Sequence, residues 1–163
     1  MDDAAFEQAV SARLVRVADL RAGLTLPALG DGPGGLLEVL VDVRARLDQV
    51  EEFLTQLTRL RGAARRAARQ TKDAADDGWN ASVTGGQRPR RGDFGEAAPR
   101  ERYAQADLAV LDRRREERRM AYRVSVAEEA VELTQLAYRG LSDTRRDLHV
   151  LLRAIEIENS LER

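Results

Sequence analysis

The chain contains no cysteine, and this absence excludes two kinds of site. Without thiols there is no disulfide framework and no thiolate metal centre, which fits a reducing compartment. His149 is the only histidine among the 163 residues, so the histidine clusters that hold zinc or serve as paired catalytic bases are missing as well. The sequence therefore predicts no metal ion and no other cofactor.

Long hydrophobic runs are also missing. No apolar stretch approaches the roughly 18 residues from which a membrane-spanning helix is inferred. Met1 is followed by Asp2 and Asp3 rather than by a basic stretch and an apolar segment. We therefore expect neither a signal peptide nor a membrane span, and a cytoplasmic location in a bacterial cell or a phage-infected host.

Catalytic motifs are absent from the chain. There is no G-x-S-x-G, H-E-x-x-H or P-loop, and the Gly-rich run at 30–35 lacks the following Lys-Ser/Thr. Asp93-Phe94-Gly95 matches a kinase tripeptide, but the lysine and catalytic loop that a kinase needs are missing. Adjacent acidic residues such as Asp76 and Asp77 point about 100° apart on a helix, which suits acid–base catalysis poorly. The sequence predicts a binding protein and not an enzyme.

Few residues are aromatic (4%), whereas 43% are hydrophobic and 34% charged. This composition is typical of long helices and not of a sheet core. We expect an all-α fold: a long antiparallel helical hairpin, similar to a coiled coil, with a basic Gly/Pro loop at its tip. Short N-terminal and C-terminal helices complete the predicted architecture.

Glycine and proline set the predicted boundaries. An amphipathic helix occupies residues 1–23 and ends at Gly23, and a linker at 24–35 holds four of the twelve glycines. The helical hairpin covers 36–140 and is interrupted by a loop at 78–99. Gly140 is expected to separate the hairpin from a C-terminal helix at 141–163.

Two apolar seams predict the hairpin. The first follows the four-and-three spacing of coiled-coil a and d positions, at Leu36, Leu40, Val43, Leu47, Val50, Leu54 and Leu57. It then continues with mostly small side chains, at Leu60, Ala64, Ala67, Ala68, Thr71 and Ala75. The second seam has the same spacing, at Met120, Val124, Ala127, Val131, Thr134, Tyr138 and Leu141. We expect tight packing along the Leu-rich part and thinner packing toward the loop.

A second stripe, at Val126, Ala130, Leu133 and Ala137, runs beside the second seam. A helix with two apolar stripes contacts more than one partner, so either the N-terminal helix or another subunit packs there. The C-terminal helix is apolar on several sides as well. We predict that it makes a homo-oligomer through Leu141, Leu148, Leu151, Leu152, Ile155 and Ile157.

Positive charge is concentrated in the middle of the chain. Residues 57–123 hold 17 basic and 10 acidic residues, a net of +7, whereas the remaining residues have a net of −8. All but one of the 27 basic residues are arginines, Lys72 being the exception. Either a GC-rich genome, such as that of an actinobacterium or one of its phages, or selection for arginine chemistry accounts for this preference.

The basic residues are candidates for binding a polyanion. One group precedes the loop, at Arg59, Arg61, Arg65, Arg66, Arg69 and Lys72, and a second lies in the loop, at Arg88, Arg90 and Arg91. Either they form a solvated helix face or they contact the phosphates of a nucleic acid. Trp79 and Phe94 are the aromatic residues of the predicted loop. Trp79 either closes the hairpin tip as a hydrophobic plug or stacks on a base.

The order of these features resembles the UvsY-type recombination mediators of T-even and related phages. The resemblance covers about residues 36–158. It rests on the basic stretch LRGAARRAARQTKDAADDGW, the Gly/aromatic loop, the terminal stretch RGLSDTRRDLHVLLRAIEIE, and a tyrosine-led step at Tyr103, Ala106, Asp107 and Leu111. It implies a ring-forming protein that binds single-stranded DNA, helps to remove single-strand-binding protein and loads a recombinase. In that case the arginines contact phosphates, Trp79 and Phe94 stack on bases, and the terminal helix forms the ring.

Two other classes of protein compete with this interpretation. One is a phage virion or assembly protein, such as a helical scaffold, tail-assembly chaperone or neck component, that acts through protein contacts alone. The other is a secreted helical hairpin of the WXG type. That type is disfavoured because Trp79-Asn80-Ala81 lacks the glycine and the predicted arms are too long.

Overall fold

The fold is seen in a computed structural model that describes residues 3–24, 32–85 and 108–161. Within these ranges every residue except Gly23 and Leu24 is helical and none lies in a strand, so the all-α prediction is confirmed. The helices are α1 (Asp3–Ala22), α2 (Gly32–Gly85) and α3 (Leu108–Leu161). No described helix carries an apolar stretch long enough to cross a membrane.

Helix α1 ends where the sequence predicts. The backbone N–H of Gly23 donates to the carbonyl of Asp19 at 3.1 Å and closes the last turn. Phe6, Val10 and Val17 recur at spacings of four and seven and are buried. The face of α1 that carries these three residues is therefore buried.

Helix α2 is longer at both ends than predicted. It begins at Gly32, so the predicted linker 24–35 extends four residues too far. Pro33 lies in the first turn, where its missing N–H removes no helical hydrogen bond. At the other end α2 continues to Gly85, so placing the start of the loop at Gly78 was wrong.

Helix α3 runs through Gly140 without a break. The predicted separate helix at 141–163 is therefore wrong, because its described part is the end of a 54-residue helix. A glycine inside a helix costs only about 1 kcal/mol relative to alanine, and packing on both sides of it outweighs that cost. The predicted end of the loop, at Pro99, lies outside the described residues.

The chain divides into two compact units. Unit 1 comprises Met1–Arg59 and Ala127–Arg163, and unit 2 comprises Leu60–Val126. The two predicted seams are confirmed as the buried faces of α2 and α3 within these units, with Leu54, Val124 and Tyr138 half-buried. The antiparallel hairpin formed by the two complete helices stays a prediction.

Unit 1 has a core of large apolar side chains. One cluster joins α2 to α3 and consists of Leu36, Leu40, Val43, Leu47, Val50, Leu141 and Leu148. Helix α1 is attached to α2 by polar contacts as well. Arg13 Nε donates to Gln56 Oε1 at 2.9 Å, and Arg46 donates from Nη1 to the carbonyl of Leu20 at 2.7 Å and from Nη2 to that of Gly23 at 2.8 Å. Arg46 thereby satisfies carbonyls at the C-terminal end of α1.

Unit 2 has a much smaller core. Its buried apolar side chains in the described ranges are Ala64, Ala75, Val110 and Met120. Thr71 is half-buried, and its hydroxyl donates to the carbonyls of Ala67 and Ala68, both at 3.0 Å. The thinner packing that the sequence predicts beyond Leu57 is confirmed within this unit.

Candidate nucleic-acid interface

Four basic residues of unit 2 share one face of α2. Arg61, Arg65, Arg69 and Lys72 follow one another at spacings of four, four and three, and we call them the basic stripe. On a helix with 3.6 residues per turn these positions fall within about 80° of one another and extend over about 16 Å. Arg65, Arg69 and Lys72 are exposed, and Arg61 is half-buried beside the packed face. Arg66 is exposed on the adjoining side of the helix.

The charges of this face are poorly neutralised. Within the described ranges no carboxylate pairs with Arg61, Arg66, Arg69 or Lys72. The sequence of α2 supplies no acidic residue between Glu52 and Asp73. Like charges at these spacings repel one another, and a bound polyanion relieves the repulsion.

Helix α3 contributes an arginine next to the C-terminal end of the basic stripe. Asp76 follows Lys72 by four residues and so lies on the same face of α2. Arg114 Nη2 of α3 reaches Asp76 Oδ1 at 3.2 Å, and its Nη1 contacts Glu117 Oε2 at 2.8 Å. The hydrogen bond that Arg114 donates to Glu117 raises the pKa of its guanidinium, and attraction to Glu117 and Asp76 adds to this effect. Arg114 therefore stays charged and neutralises the nearest carboxylate of the stripe's face.

Gly78 accommodates a second arginine of α3. It is buried, and a Cβ built on it would overlap the guanidinium of Arg113 and lie 2.9 Å from Arg113 Cδ. The missing side chain thus lets Arg113 lie across α2. Neither Arg113 nor Arg114 is among the predicted site residues, because the eight consecutive charged residues at 112–119 indicate a solvated segment. Asp76 and Gly78 lie within one turn of α2. This spacing of an acidic residue and a glycine is the sequence feature that could have indicated the contact.

Trp79 lies on α2 and not in a loop, which corrects its predicted place. It follows Lys72 by seven residues, so it continues the face that carries the basic stripe. Its side chain is half-buried, which leaves part of the indole accessible. A partly exposed aromatic ring beside a row of cations is the arrangement that sequence-independent binding of single strands requires.

The remaining predicted nucleic-acid residues are not gathered at this face. Arg59 is exposed on α2 but belongs to unit 1. Arg88, Arg90, Arg91 and Phe94 lie outside the described residues, as do Tyr103, Ala106 and Asp107 of the resemblance. The described site therefore consists of the basic stripe, Arg66, Trp79, and Arg113 and Arg114 of α3.

Charge separates the two units. The described residues of unit 2 include eleven basic and six acidic side chains, a net of +5. Those of unit 1 include ten basic and fifteen acidic side chains, a net of −5. A polyanion is attracted to the first and repelled by the second.

The residues predicted for oligomerisation have different environments. Leu141 and Leu148 are buried in the core of unit 1, and Leu152 and Ile155 pack partly against it, so these four stabilise the chain itself. Leu151 and Ile157 remain exposed, at 49% and 59%. Of the six predicted oligomer contacts, only these two are exposed.

An apolar groove lies between α1 and α3 in unit 1. It has a volume of about 680 Å³ and is lined by Leu14, Val15, Val17, Ala18, Arg21, Ala22, Leu133 and Ala137. The groove shows that the N-terminal helix packs beside the second stripe of α3, which was one of the two partners the sequence allowed. Val15 and Leu133 are 60% and 46% exposed, so α1 covers this stripe only in part.

No metal-binding group of acidic or histidine side chains occurs in the described ranges. The comparisons with known proteins supply no relative. No family model matches the chain, and no curated protein or solved structure is similar to it. The function must therefore be argued from the charges and contacts described above.

Proposed function

We propose that this chain is a non-enzymatic accessory protein that binds single-stranded DNA through the basic stripe of α2. The observation that supports the proposal is a row of cations on one helix face, most of them without a carboxylate partner in the described ranges. Cations evenly spaced along a straight line suit a repeating backbone of phosphates better than a compact anion. The role would be that of a recombination mediator in the bacterial cytoplasm, with a recombinase or single-strand-binding protein as partner.

The proposed contacts divide into two types. Arg61, Arg65, Arg69 and Lys72 neutralise phosphates and give an affinity that depends on salt but not on sequence. Trp79 stacks on a base, which adds affinity without adding charge. Arg114 helps indirectly, because it neutralises Asp76, which would otherwise repel the strand.

Fluorescence anisotropy of a labelled oligonucleotide across a salt series tests the phosphate contacts. For the double variant Arg69→Ala/Lys72→Ala we expect the slope of log K against log salt to become shallower by about 1.4, since each single-strand contact contributes about 0.7. The matched control is Arg145→Ala/Arg146→Ala, which removes two exposed arginines from α3 in the acidic unit. The control should leave the slope unchanged. Equal effects of both pairs, or no binding by the wild-type chain at 50 mM salt, would refute the proposal.

Trp79 tests the stacking contact directly because it is the only tryptophan. Adding an oligonucleotide should quench its fluorescence, and Trp79→Ala should weaken binding about 10-fold while leaving the salt slope intact. Circular dichroism of the variant controls for a structural role of the ring. If affinity is unchanged and helix content falls, Trp79 is a packing residue.

A virion or assembly protein remains the second candidate. It is favoured by the apolar groove of unit 1 and by exposed large apolar residues such as Val41 and Leu136, at 70% and 57%. Exposed apolar surface of this kind is typical of protein contacts. Lack of DNA binding together with capture of a defined protein partner would favour this candidate.

A further inference from the structure

The end of α3 carries an apolar seam that nothing in the described chain covers. Val150, Ala154, Ile157 and Leu161 follow one another at spacings of four, three and four, and we call them the outer seam. All four are exposed, with Val150 at 62%, Ile157 at 59% and Leu161 at 80%. The spacing is that of coiled-coil a and d positions, so the seam suits another helix.

This seam lies opposite the one that builds the core. Leu148 is buried in the core of unit 1, and Leu152 and Ile155 pack against it. Around the axis of α3, these three residues lie about 160° from the outer seam. The last turns of α3 can therefore pack on α2 and on a second helix at the same time.

The charges beside the outer seam indicate which helix fits. With Val150 and Ile157 at d and Ala154 and Leu161 at a, Arg153 falls at g and Glu158 at the e position five residues later. In a parallel coiled coil, g of one helix meets this e of the other. Two identical copies would then form two Arg153–Glu158 pairs, whereas in an antiparallel pair g faces g and e faces e, so Arg153 and Glu158 would not pair. Neither side chain has an ion-pair partner in the described ranges.

We propose that the outer seam binds the outer seam of a second copy of this chain, in a parallel and in-register coiled coil. The charge pattern is complementary to itself, which favours a second copy over an unrelated helix. Asp147 and Asp143 occupy the preceding a and d positions and would repel their counterparts, so the contact begins at Val150. This inference does not depend on DNA binding.

The contact should be weak. It extends over twelve residues, or about 18 Å of helix, and involves four seam residues from each copy. Such an area is at the lower end of specific interfaces, so we expect a dissociation constant on the order of 10 μM or weaker. Sedimentation of the full chain over a wide concentration range should show a reversible monomer–dimer equilibrium.

A charged substitution on the outer seam tests whether the dimer forms through it. Ile157→Asp should weaken dimerisation about 100-fold or more, because a buried isoleucine is lost from both copies and two carboxylates are brought together. The matched control is Val41→Asp, which places the same charge at an exposed position of α2 in the same unit. Circular dichroism should be unchanged in both variants. A chain that stays monomeric, or equal effects of the two variants, would overturn the proposal.

Charge exchange tests the orientation. Arg153→Glu and Glu158→Arg should each weaken the dimer, and the double variant should restore it, since only the parallel arrangement pairs these two positions. If the double variant is as weak as the single variants, the parallel pairing is wrong.

Cross-linking tests the register. Because the chain has no cysteine, Ala154→Cys introduces the only thiol, and in-register a positions bring the two thiols together. At protein concentrations near the expected dissociation constant, oxidation should give a covalent dimer of Ala154→Cys and much less of Val41→Cys. Equal cross-linking of both variants would contradict an in-register seam.

Discussion

The two units of this chain differ in what holds their helices together. In unit 1, leucine, valine and phenylalanine side chains fill the space between helices, and Arg46 bonds three oxygens of its surroundings. In unit 2 the buried apolar side chains of the described ranges are two alanines, Val110 and Met120, while Arg113 and Arg114 of α3 reach α2. Unit 1 carries net negative charge in its described residues and unit 2 net positive charge.

This difference shows how one helical pattern can serve two purposes. Large seam residues bury apolar area and stabilise unit 1, at about 25 cal/mol per Å². Alanine and glycine in unit 2 bury less, but they let long cationic side chains of one helix lie across the other. Unit 1 is therefore suited to stability. Its self-association, like the binding of an anionic partner by unit 2, is what we propose.

The largest effect should come from the core of unit 1. Leu47 is 4% exposed, and Leu47→Ala should lower the free energy of unfolding by about 2–5 kcal/mol. Met120→Ala in unit 2 should cost less, about 2 kcal/mol, because few buried apolar side chains surround it in that small core. Leu37→Ala, at a position 55% exposed, is the control and should have little effect. Urea unfolding followed by circular dichroism measures all three, and equal losses for Leu47 and Met120 would remove the contrast between the cores.

Removing the polar side-chain contacts between helices should change the stability of the two units by smaller amounts. Arg46 is 17% exposed and donates to Leu20, Gly23 and Asp42, so Arg46→Ala should cost about 1–3 kcal/mol. Arg44→Ala, an exposed neighbour, serves as its control. Arg114→Ala in unit 2 should matter less, since its side chain is 36% exposed, and its effect should disappear at high salt. A loss for Arg46→Ala no larger than that for Arg44→Ala would mean that the bonds to α1 contribute nothing.

Two helical glycines should give the smallest effects, with different outcomes. A Cβ on Gly140 in unit 1 meets no atom within 4 Å, so Gly140→Ala should stabilise the protein by about 0.5–1 kcal/mol. Gly78→Ala in unit 2 should give no such gain, because the new methyl group displaces Arg113. Thermal unfolding measures both changes. The gain should return when Gly78→Ala is combined with Arg113→Ala, and failure to return would show that Arg113 is not the obstacle.

Much of the fold could be predicted from residue spacing. The seams from Leu36 to Leu57 and from Met120 to Leu141 are the packed faces, and Gly23 follows the end of α1. The boundaries predicted at Gly78 and Gly140 are wrong because a glycine does not by itself end a helix. Glycine only lowers helix stability slightly, and Pro33 is harmless in a first turn.

The candidate site was predicted less completely. The cations of α2 were found because their number and spacing are visible in the sequence. That Arg61, Arg66, Arg69 and Lys72 lack carboxylate partners within the described ranges could not be predicted, since it depends on which acidic residues other helices bring near. The contributions of Arg113 and Arg114 were missed for the same reason.

The helical character of this protein, the apolar faces of its helices and the region of positive charge all follow from the amino-acid sequence alone. These properties are local, because they follow from the period of the helix and the identity of each side chain. Three further features depend on how the helices pack. Leu141 and Leu148 are buried within the chain, α1 lies beside the second stripe of α3, and Arg113 lies over Gly78. An apolar or charged face can be covered by any of several partners, and folding selects among them through contacts between residues far apart in the sequence.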